Sequence, residues 1–216
     1  FGVIFFVPCF YIAVCELPGF GHYPGPYGDI LNHVAPLERQ VLNVVTAIVF
    51  DYRGFDTLAE EFILFTAITG VLLLLHEEEE PTDVEKKKAD FAISPEISEA
   101  VQLYDLPVAG FIIIYGCYTI LFSVQSLGGG FQGGVVISAA FLLIGFTSGL
   151  TAFHHAANKH IVEAFEAIGA AAFALIGCLA LFKGHSFLTN ILPLGQIGGI
   201  YSSGTILLIN CFVGIE

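Results

Sequence analysis

Long apolar runs separated by short polar segments form the main pattern of this 216-residue chain. A helix of about 20 apolar residues crosses the hydrocarbon core of a bilayer. Five runs approach or reach that length, and a shorter one opens the sequence: Thr57–Leu75, Leu106–Ser126, Phe131–Leu150, Ile161–Phe182, Gln196–Ile215 and Phe1–Cys15. The pattern predicts an all-α integral membrane protein with about six transmembrane helices, the first of which we expect to lack its N-terminal part.

Polar segments interrupt this pattern at two places near the N-terminus. Leu17–Pro36 is rich in proline and glycine, which predicts a loop at a membrane surface. Val41–Leu75 is apolar at both ends but carries a polar string in its middle. An unbroken helix of its 35 residues would be about 52 Å long. We therefore expect a break near Arg53-Gly54, with Val41–Phe50 as a short surface helix or a partly inserted one.

A charged stretch divides the chain into two predicted units. It contains four consecutive glutamates from Glu77 and the triplet Lys86-Lys87-Lys88. Such a run is typical of a solvated linker, which we place at 77–105. The linker separates a two-span unit at 1–76 from a four-span unit at 106–216.

Composition excludes several classes of protein. Charged residues make up 12% of the chain, about half the usual fraction in soluble domains. The formal net charge of −13 argues against a nucleic-acid partner. The five cysteines lie in apolar runs without the spacing of a disulfide or metal framework, and nothing in the sequence predicts a cofactor.

Ionisable residues crowd the entrance of the second predicted span: Asp51, Arg53, Asp56, Glu60 and Glu61. One interpretation is structural, with Thr57 and Glu60 forming a capping box and Asp51 pairing with Arg53. The other interpretation is an ion pathway or a subunit-coupling role, because ionisable groups at membrane depth are costly and usually functional. Asp56 and Glu60 are four residues apart and would share a helix face. The sequence leaves both interpretations open.

A second polar group lies near the start of the run Ile161–Phe182. His160, Glu163 and Glu166 recur at spacings of three, which places them on one helix face and suits a proton relay. The alternative is a solvated first turn, which is favoured for His160, whereas Glu166 lies deeper. A metal site built from His154, His155 and His160 is disfavoured because the spacing is not that of HExxH.

The most glycine-rich stretch is Gly128-Gly129-Gly130-Phe131-Gln132-Gly133-Gly134. It lacks the Lys-Ser/Thr that follows a phosphate-binding loop, and no strand precedes it. We interpret it as a tight turn followed by a helix in which Gly133 and Gly134 permit close helix contact, with Gln132 able to bond across that contact. No catalytic dyad or nucleophile elbow appears in the sequence, so an enzyme has little support.

Three stretches together resemble subunits of the Mrp-type multisubunit Na+/H+ antiporter family. Residues 43–60 (NVVTAIVFDYRGFDTLAE) resemble the end of the large A subunit, or the separate E-type subunit of membrane-bound hydrogenases. Residues 127–135 (LGGGFQGGV) and 203–210 (SGTILLIN) resemble the B subunit. Ala59 stands where the family usually has Gly, and Leu127 stands where it often has Pro.

The resemblance implies a non-catalytic subunit of a cation/proton antiporter, or of the ion-translocating arm of a related respiratory complex such as a membrane-bound hydrogenase. It implies the prokaryotic plasma membrane, with Na+, H+, lipid and other membrane subunits as partners. It also lends an ion-path or coupling role to Asp51, Arg53, Asp56 and Glu60. The alternative is a small self-contained solute transporter, which would need two matching halves, whereas the predicted spans divide as two and four.

Overall fold

The computed structural model describes residues 2–17, 19, 21, 25–75 and 98–216. Within these ranges every regular element is a helix, which confirms the all-α prediction. In chain order they are α1 (Gly2–Cys15), α2 (Pro26–Arg39), α3 (Val44–Ala47), a π-helical turn (Ile48–Tyr52), α4 (Gly54–Leu74), α5 (Glu99–Leu121), α6 (Gly130–Ser148), α7 (Leu150–Ala156), α8 (Lys159–Phe182) and α9 (Thr205–Ile215). The chain divides into two compact units, of which the first ends at Val34 and the second runs from Ala35 to Glu216.

Four helices of the second unit are long and apolar enough to cross a membrane: Gly54–Leu74, Leu103–Leu121, Gly130–Ser148 and Lys159–Phe182. Only 11% to 33% of the residues in these spans are buried within the chain. Most of their apolar surface is therefore available to lipid or to other subunits. The apolar helices α1 and α9 are shorter, at 14 and 11 residues, so the predicted total of about six spans stays a prediction.

The sixth predicted span is wrong in its first half. Residues 196–204 form turns, and α9 begins only at Thr205. The Asn190 side chain fixes this start, since its Oδ1 accepts the Thr205 amide at 2.9 Å and its Nδ2 donates to the Ser203 carbonyl at 2.8 Å. Gly204 has φ +62°, a left-handed conformation that favours glycine, and it ends the turn.

The predicted loop at Leu17–Pro36 is also wrong in its second half, where α2 begins at Pro26. Proline is tolerated at the first position of a helix because its missing N–H has no helical partner there. The break predicted at Arg53-Gly54 is confirmed, because α4 begins at Gly54 after a π-helical turn. Most of the predicted linker lies outside the described residues, and its last part, Glu99–Asp105, is helical.

Glycines let the helices of the second unit approach closely. A Cβ atom on Gly116 of α5 would lie 2.9 Å from the Gly133 carbonyl oxygen of α6, and a Cβ atom on Gly133 would lie 2.7 Å from the Gly116 carbonyl oxygen. Gly134 meets Gly214 of α9 in the same way, at 3.0 Å from its carbonyl oxygen. Small residues of this kind are the usual means of helix association in a bilayer.

Asn210 of α9 joins the ends of α5 and α6. Its side chain is fully buried. It donates to the Ile120 carbonyl at 2.8 Å and accepts the Gly130 amide at 2.6 Å. These are backbone groups at a helix end and a helix start, which have no partner inside their own helices. A single amide side chain thus satisfies two backbone groups that no water reaches.

We expect Gly116→Ala to lower the stability of the chain, because the added methyl group meets backbone that cannot move aside. The expected cost is about 1–3 kcal/mol of unfolding free energy. Gly110→Ala on the same helix is the matched control, since nothing lies within 4 Å of a Cβ there, and it should be neutral or stabilising by up to about 1 kcal/mol. Thermal unfolding in detergent, followed by circular dichroism, compares the two variants. Equal effects would contradict the close α5–α6 contact.

We expect Asn210→Leu to destabilise the chain as well, because the buried Gly130 amide loses its acceptor and the Ile120 carbonyl keeps only a long bond of 3.4 Å from the Ser123 amide. Each unsatisfied group costs about 1–3 kcal/mol. Ser203→Ala is the control, because the buried Ser203 hydroxyl has no hydrogen-bond partner to lose. The same unfolding measurement should show a large loss for the first variant and little change for the second. A mild effect of Asn210→Leu would argue against the bridge.

Candidate functional site

A cavity of about 190 Å³ lies between the segment that enters α4 and the glycine-rich stretch 128–134. Its walls come from α3 and the π-helical turn, the first two turns of α4, the glycine-rich stretch and α9. The lining residues are Val45, Thr46, Val49, Phe50, Thr57, Glu60, Glu61, Gly128, Gly129, Phe131, Gln132 and Val213. Carboxyl, amide and hydroxyl groups thus share an otherwise apolar space.

The segment that enters α4 is anchored on the turn that follows α5. Asn43 donates its side-chain amide to the Ser123 and Ser126 carbonyls, at 2.8 and 2.9 Å. Thr46 donates to the same Ser123 carbonyl at 2.9 Å. The backbone amide of Leu42 donates to the Val124 carbonyl at 2.9 Å. These bonds satisfy carbonyls of the turn that follows α5 and hold the start of α3 beside the glycine-rich stretch.

A π-helical turn separates this anchor from α4. Its Arg53 amide donates to the Ile48 carbonyl at 2.8 Å, five residues back. Thr57, one turn into α4, donates its hydroxyl to the Val49 carbonyl at 2.5 Å. Thr57 therefore ties α4 to the turn and does not form the capping box with Glu60 that the sequence suggested. π-helical turns are rare in proteins, and those that occur are often found at functional sites.

Asp51 pairs with Arg39, and not with Arg53 as one interpretation of the sequence held. Burial raises the pKa of Asp51 by more than the attraction of Arg39 lowers it. Burial alone would lower the pKa of Arg39, but Asp51, Tyr52 and Glu38 together raise it. Tyr52 donates to a Glu38 carboxyl oxygen at 2.7 Å, and burial together with this bond raises the pKa of Tyr52 to about 12. The pair fixes the end of α2 against the turn.

Arg53 and Asp56 form a separate pair at the surface. The Arg53 Nε atom donates to an Asp56 carboxyl oxygen at 2.6 Å. Both side chains are largely exposed, at 63% and 56%, and exposed pairs contribute little to stability. Asp56 lies at the start of α4, where a negative charge is favourable. It does not line the cavity.

Glu60 and Glu61 both line the cavity, but they differ in burial. Glu61 is only 4% exposed and shares its buried helix face with Leu58, whereas Glu60 is exposed. Glu61 is about 10 Å along α4 from its start at Gly54. The sequence places Glu61 in the ionisable group at the entrance of this span, but the specific roles predicted there fall on its neighbours such as Glu60. The apolar Leu58 three residues earlier was the signal that could have placed it on the inner face.

Two more carboxyl groups lie beyond Glu61. Glu216, which follows α9, lies close enough to interact electrostatically with both Glu61 and Glu166. Gly169 of α8 makes room for it, because a Cβ atom there would lie 2.9 Å from the Glu216 amide nitrogen. The Glu61 and Glu216 carboxyl groups lie within hydrogen-bond reach of each other, a bond that requires one of them to be protonated. No other donor reaches the buried carboxyl oxygens of Glu216, and the Oε1 atom of Glu166 is buried without a hydrogen-bond partner. We call Glu61, Glu216 and Glu166 the carboxyl file.

No basic side chain among the described residues pairs with the carboxyl file.

The helices α4 and α8 run in opposite directions, since Leu188 lies against both Gly54 near the start of α4 and Gly177 near the end of α8. Glu166 is about 10 Å along α8 from its start, so Glu61 and Glu166 lie at similar depths from opposite ends of the bundle. Glu216 lies between them. The file therefore extends through the middle of the predicted membrane region.

Glu163 marks the other end of the file. It lies one turn before Glu166, with the Lys159 Nζ atom at 3.8 Å and the His160 Nδ1 atom at 3.7 Å from its carboxyl oxygens. His160 is highly exposed. The structure thus places all three residues of the predicted relay face, His160, Glu163 and Glu166, on α8, with His160 outermost.

No group of three metal-ligating side chains suited to an ion occurs among the described residues, His154 and His155 included.

The glycine-rich stretch closes the cavity from the side of α6. Gly128 has φ +150°, and a Cβ atom on it would lie 2.8 Å from the Thr119 carbonyl oxygen, so only glycine fits there. Gly129 and Gly130 follow, and the Gly130 amide is held by Asn210. The Gln132 side chain folds back over Gly129 and lines the cavity opposite the glutamates.

Known proteins resemble this chain over its whole length or most of it. An uncharacterized protein of Methanocaldococcus jannaschii is 28% identical over 206 residues, covering 86% of this chain and 76% of that protein. A chain in the structure of the membrane-bound sulfane sulfur reductase, an archaeal respiratory membrane complex, is 27% identical with a TM-score of 0.74, covering 99% of this chain and 89% of that one. A chain of the Mrp complex from Dietzia sp. DQ12-45-1b shares the fold, with a TM-score of 0.65 and 19% identity, covering 94% of this chain and 23% of that one.

A family profile gives the most specific match. Its description is "Domain related to MnhB subunit of Na+/H+ antiporter", and it matches residues 101–216. The matched region is just over half of the chain and contains the glycine-rich stretch, α8 with its glutamates, and α9. The chain belongs to the family of domains related to the MnhB subunit of Na+/H+ antiporters.

Proposed function

We propose that this chain is a non-catalytic membrane subunit of a multisubunit cation/proton antiporter-type complex, and that its carboxyl file carries ions across part of the membrane. The relationship to the MnhB subunit supports the first part. The observation that carries the second part is the meeting of three carboxyl groups from three elements in an apolar bundle. Respiratory complexes with an ion-translocating arm are the other setting that the relatives suggest.

The charge balance of the file explains why it would carry ions. A carboxylate in an apolar site without a partner costs several kcal/mol, and neighbouring carboxylates also repel each other. No arginine or lysine of the described chain compensates them. The file therefore needs positive charge from outside, as bound protons or as a cation such as Na+. Sites that hold such charge weakly and in series are suited to pass it on.

The two ends of the file give it an entrance and an exit. At one end, Glu60 and Gln132 line the cavity beside Glu61. At the other end, Glu163 lies one turn from Glu166 with the exposed His160 beside it. A titratable imidazole at the surface is suited to exchange protons with water. We assign Asp51, Arg53 and Asp56 to fixing the bend before α4, and thereby the position of Glu61.

The proposed role also implies the partners and the cellular location of the chain. Na+, H+ and lipid would be the partners besides the other membrane subunits, and the prokaryotic plasma membrane would be the location. The chain would have no activity alone, because the apolar surfaces of its spans are mostly uncovered. A small self-contained transporter has no observation in its favour.

We predict that Glu61→Gln impairs proton movement driven by a Na+ gradient while leaving the complex assembled. The amide keeps the shape of the side chain but cannot hold a proton or a full negative charge. The loss should be about 10²-fold or more if proton transfer through this group limits the rate. The measurement uses the purified complex in liposomes with a pH-sensitive dye inside.

Asp29→Asn provides the matched control, since Asp29 is an exposed carboxylate of α2 and is not a member of the file. It should retain the rate of the unmodified complex. Subunit composition is checked by gel electrophoresis for both variants. Unchanged exchange in fully assembled Glu61→Gln complex would reject the ion-conducting role of the file and would leave the family assignment untouched.

A further inference from the structure

We propose that a groove beside Asp105 receives a lysine side chain carried by a transmembrane helix of a neighbouring subunit. The groove is separate from the carboxyl file and lies between the start of α5 and the end of α6. The inference rests on the chain's place in a complex and does not depend on the ion route. The shape and the buried carboxyl group of the groove indicate what kind of side chain occupies it.

The groove has a volume of about 300 Å³ and an almost entirely apolar lining. Its walls are Ala100, Val101, Tyr104, Asp105, Val108, Leu143 and Thr147. Val101, Tyr104 and Val108 are exposed, so the groove opens on the outer face of the α5–α6 pair. A long side chain with an apolar stem fits such a space.

Asp105 presents one free carboxyl oxygen to this groove. The residue is only 5% exposed. Its Oδ2 atom accepts a hydrogen bond from the Ser148 hydroxyl at 3.0 Å, while its Oδ1 atom is buried without a partner. An unsatisfied buried oxygen on a carboxyl group is costly. The lining holds two other hydroxyl groups, those of Tyr104 and Thr147. The Thr147 hydroxyl donates to the Leu143 carbonyl at 2.8 Å, and neither group bonds Oδ1. The missing donor therefore has to enter through the open side.

No lysine or arginine in the described part of this chain pairs with Asp105. Arg39, Arg53 and Lys159 are paired with carboxylates of their own. Lys183 follows the C-terminal end of α8, a helix of 24 residues and about 36 Å, whereas the chain enters α8 from the side of Ser148. The chain carries 20 acidic and only seven Lys and Arg residues. A positive charge on another subunit is the natural complement to Asp105.

The single free oxygen favours lysine over arginine and over a metal ion. A guanidinium group binds a carboxylate best through two parallel bonds to both oxygens, but Oδ2 is already occupied. An ammonium group makes a point contact and carries a stem of four methylene groups that can lie along the apolar walls. A hard cation such as Ca²⁺ takes about six to eight oxygen ligands, which this lining does not offer.

Zero-length cross-linking tests the contact in the native complex. Native membranes are treated with dicyclohexylcarbodiimide, which joins a carboxyl group to an adjacent amine as an amide and takes up the lost water as a urea. The complex is then purified, digested and analysed by mass spectrometry. We expect a cross-link between the Asp105 peptide and a lysine peptide of another membrane subunit, which falls to background in Asp105→Asn.

Two controls make the result decisive. The Lys159–Glu163 pair, at 3.8 Å, should cross-link within the chain and shows that the reagent works. Ser148→Ala keeps the carboxyl group and should keep the intersubunit cross-link.

A cross-link from Asp105 to Lys86, Lys87 or Lys88 of this chain would overturn the proposal, and so would an N-acylurea on Asp105 without any cross-link. Normal Na+/H+ exchange by the same preparation would leave the proposed ion route standing in either case.

Discussion

The satisfaction of backbone polar groups inside the bilayer is the constraint on which this structure depends. No water is present in the hydrocarbon core to bond the open ends of helices. The chain solves this at the junction of α5 and α6 with Asn43, Thr46 and Asn210, whose side chains bond carbonyls and an amide at those ends. The same bonds bring the start of α4 and the glycine-rich stretch to one cavity. The site is therefore a consequence of closing the helix ends.

Buried charge in the carboxyl file is subject to the same constraint as the buried backbone groups: it needs a partner. Glu61, Glu216 and Glu166 come from three elements, and Gly169 allows α8 and the end of α9 to pack closely. Closeness keeps the carboxyl groups within electrostatic reach of each other, and the apolar surroundings make their negative charge costly. A subunit built this way needs ions to be stable in its charged form. Structure and proposed function thus depend on the same balance of burial and charge.

The sequence predicted the helical class, four of the spans and the break before α4, because apolar run length and glycine or charge inside a run act locally. It did not predict the turns at 196–204 or the helix after Pro26, which depend on contacts such as the one between Asn190 and Thr205. The choice between Glu60 and Glu61 depends on which face of α4 packs against the rest of the chain, and contacts distant in sequence decide that. Asp105 was assigned to a solvated linker, although it lies in α5 with its side chain buried.

Proton release on Na+ binding is the measurement that bears most directly on the carboxyl file. The purified complex in weakly buffered detergent is mixed with Na+, and released protons are counted with a pH indicator. Since binding of two ions to one site is reciprocally linked, the unmodified complex should release more protons than a complex in which Glu61, Glu166 and Glu216 are all replaced by glutamine. Equal release from the two complexes would show that the file holds no exchangeable charge.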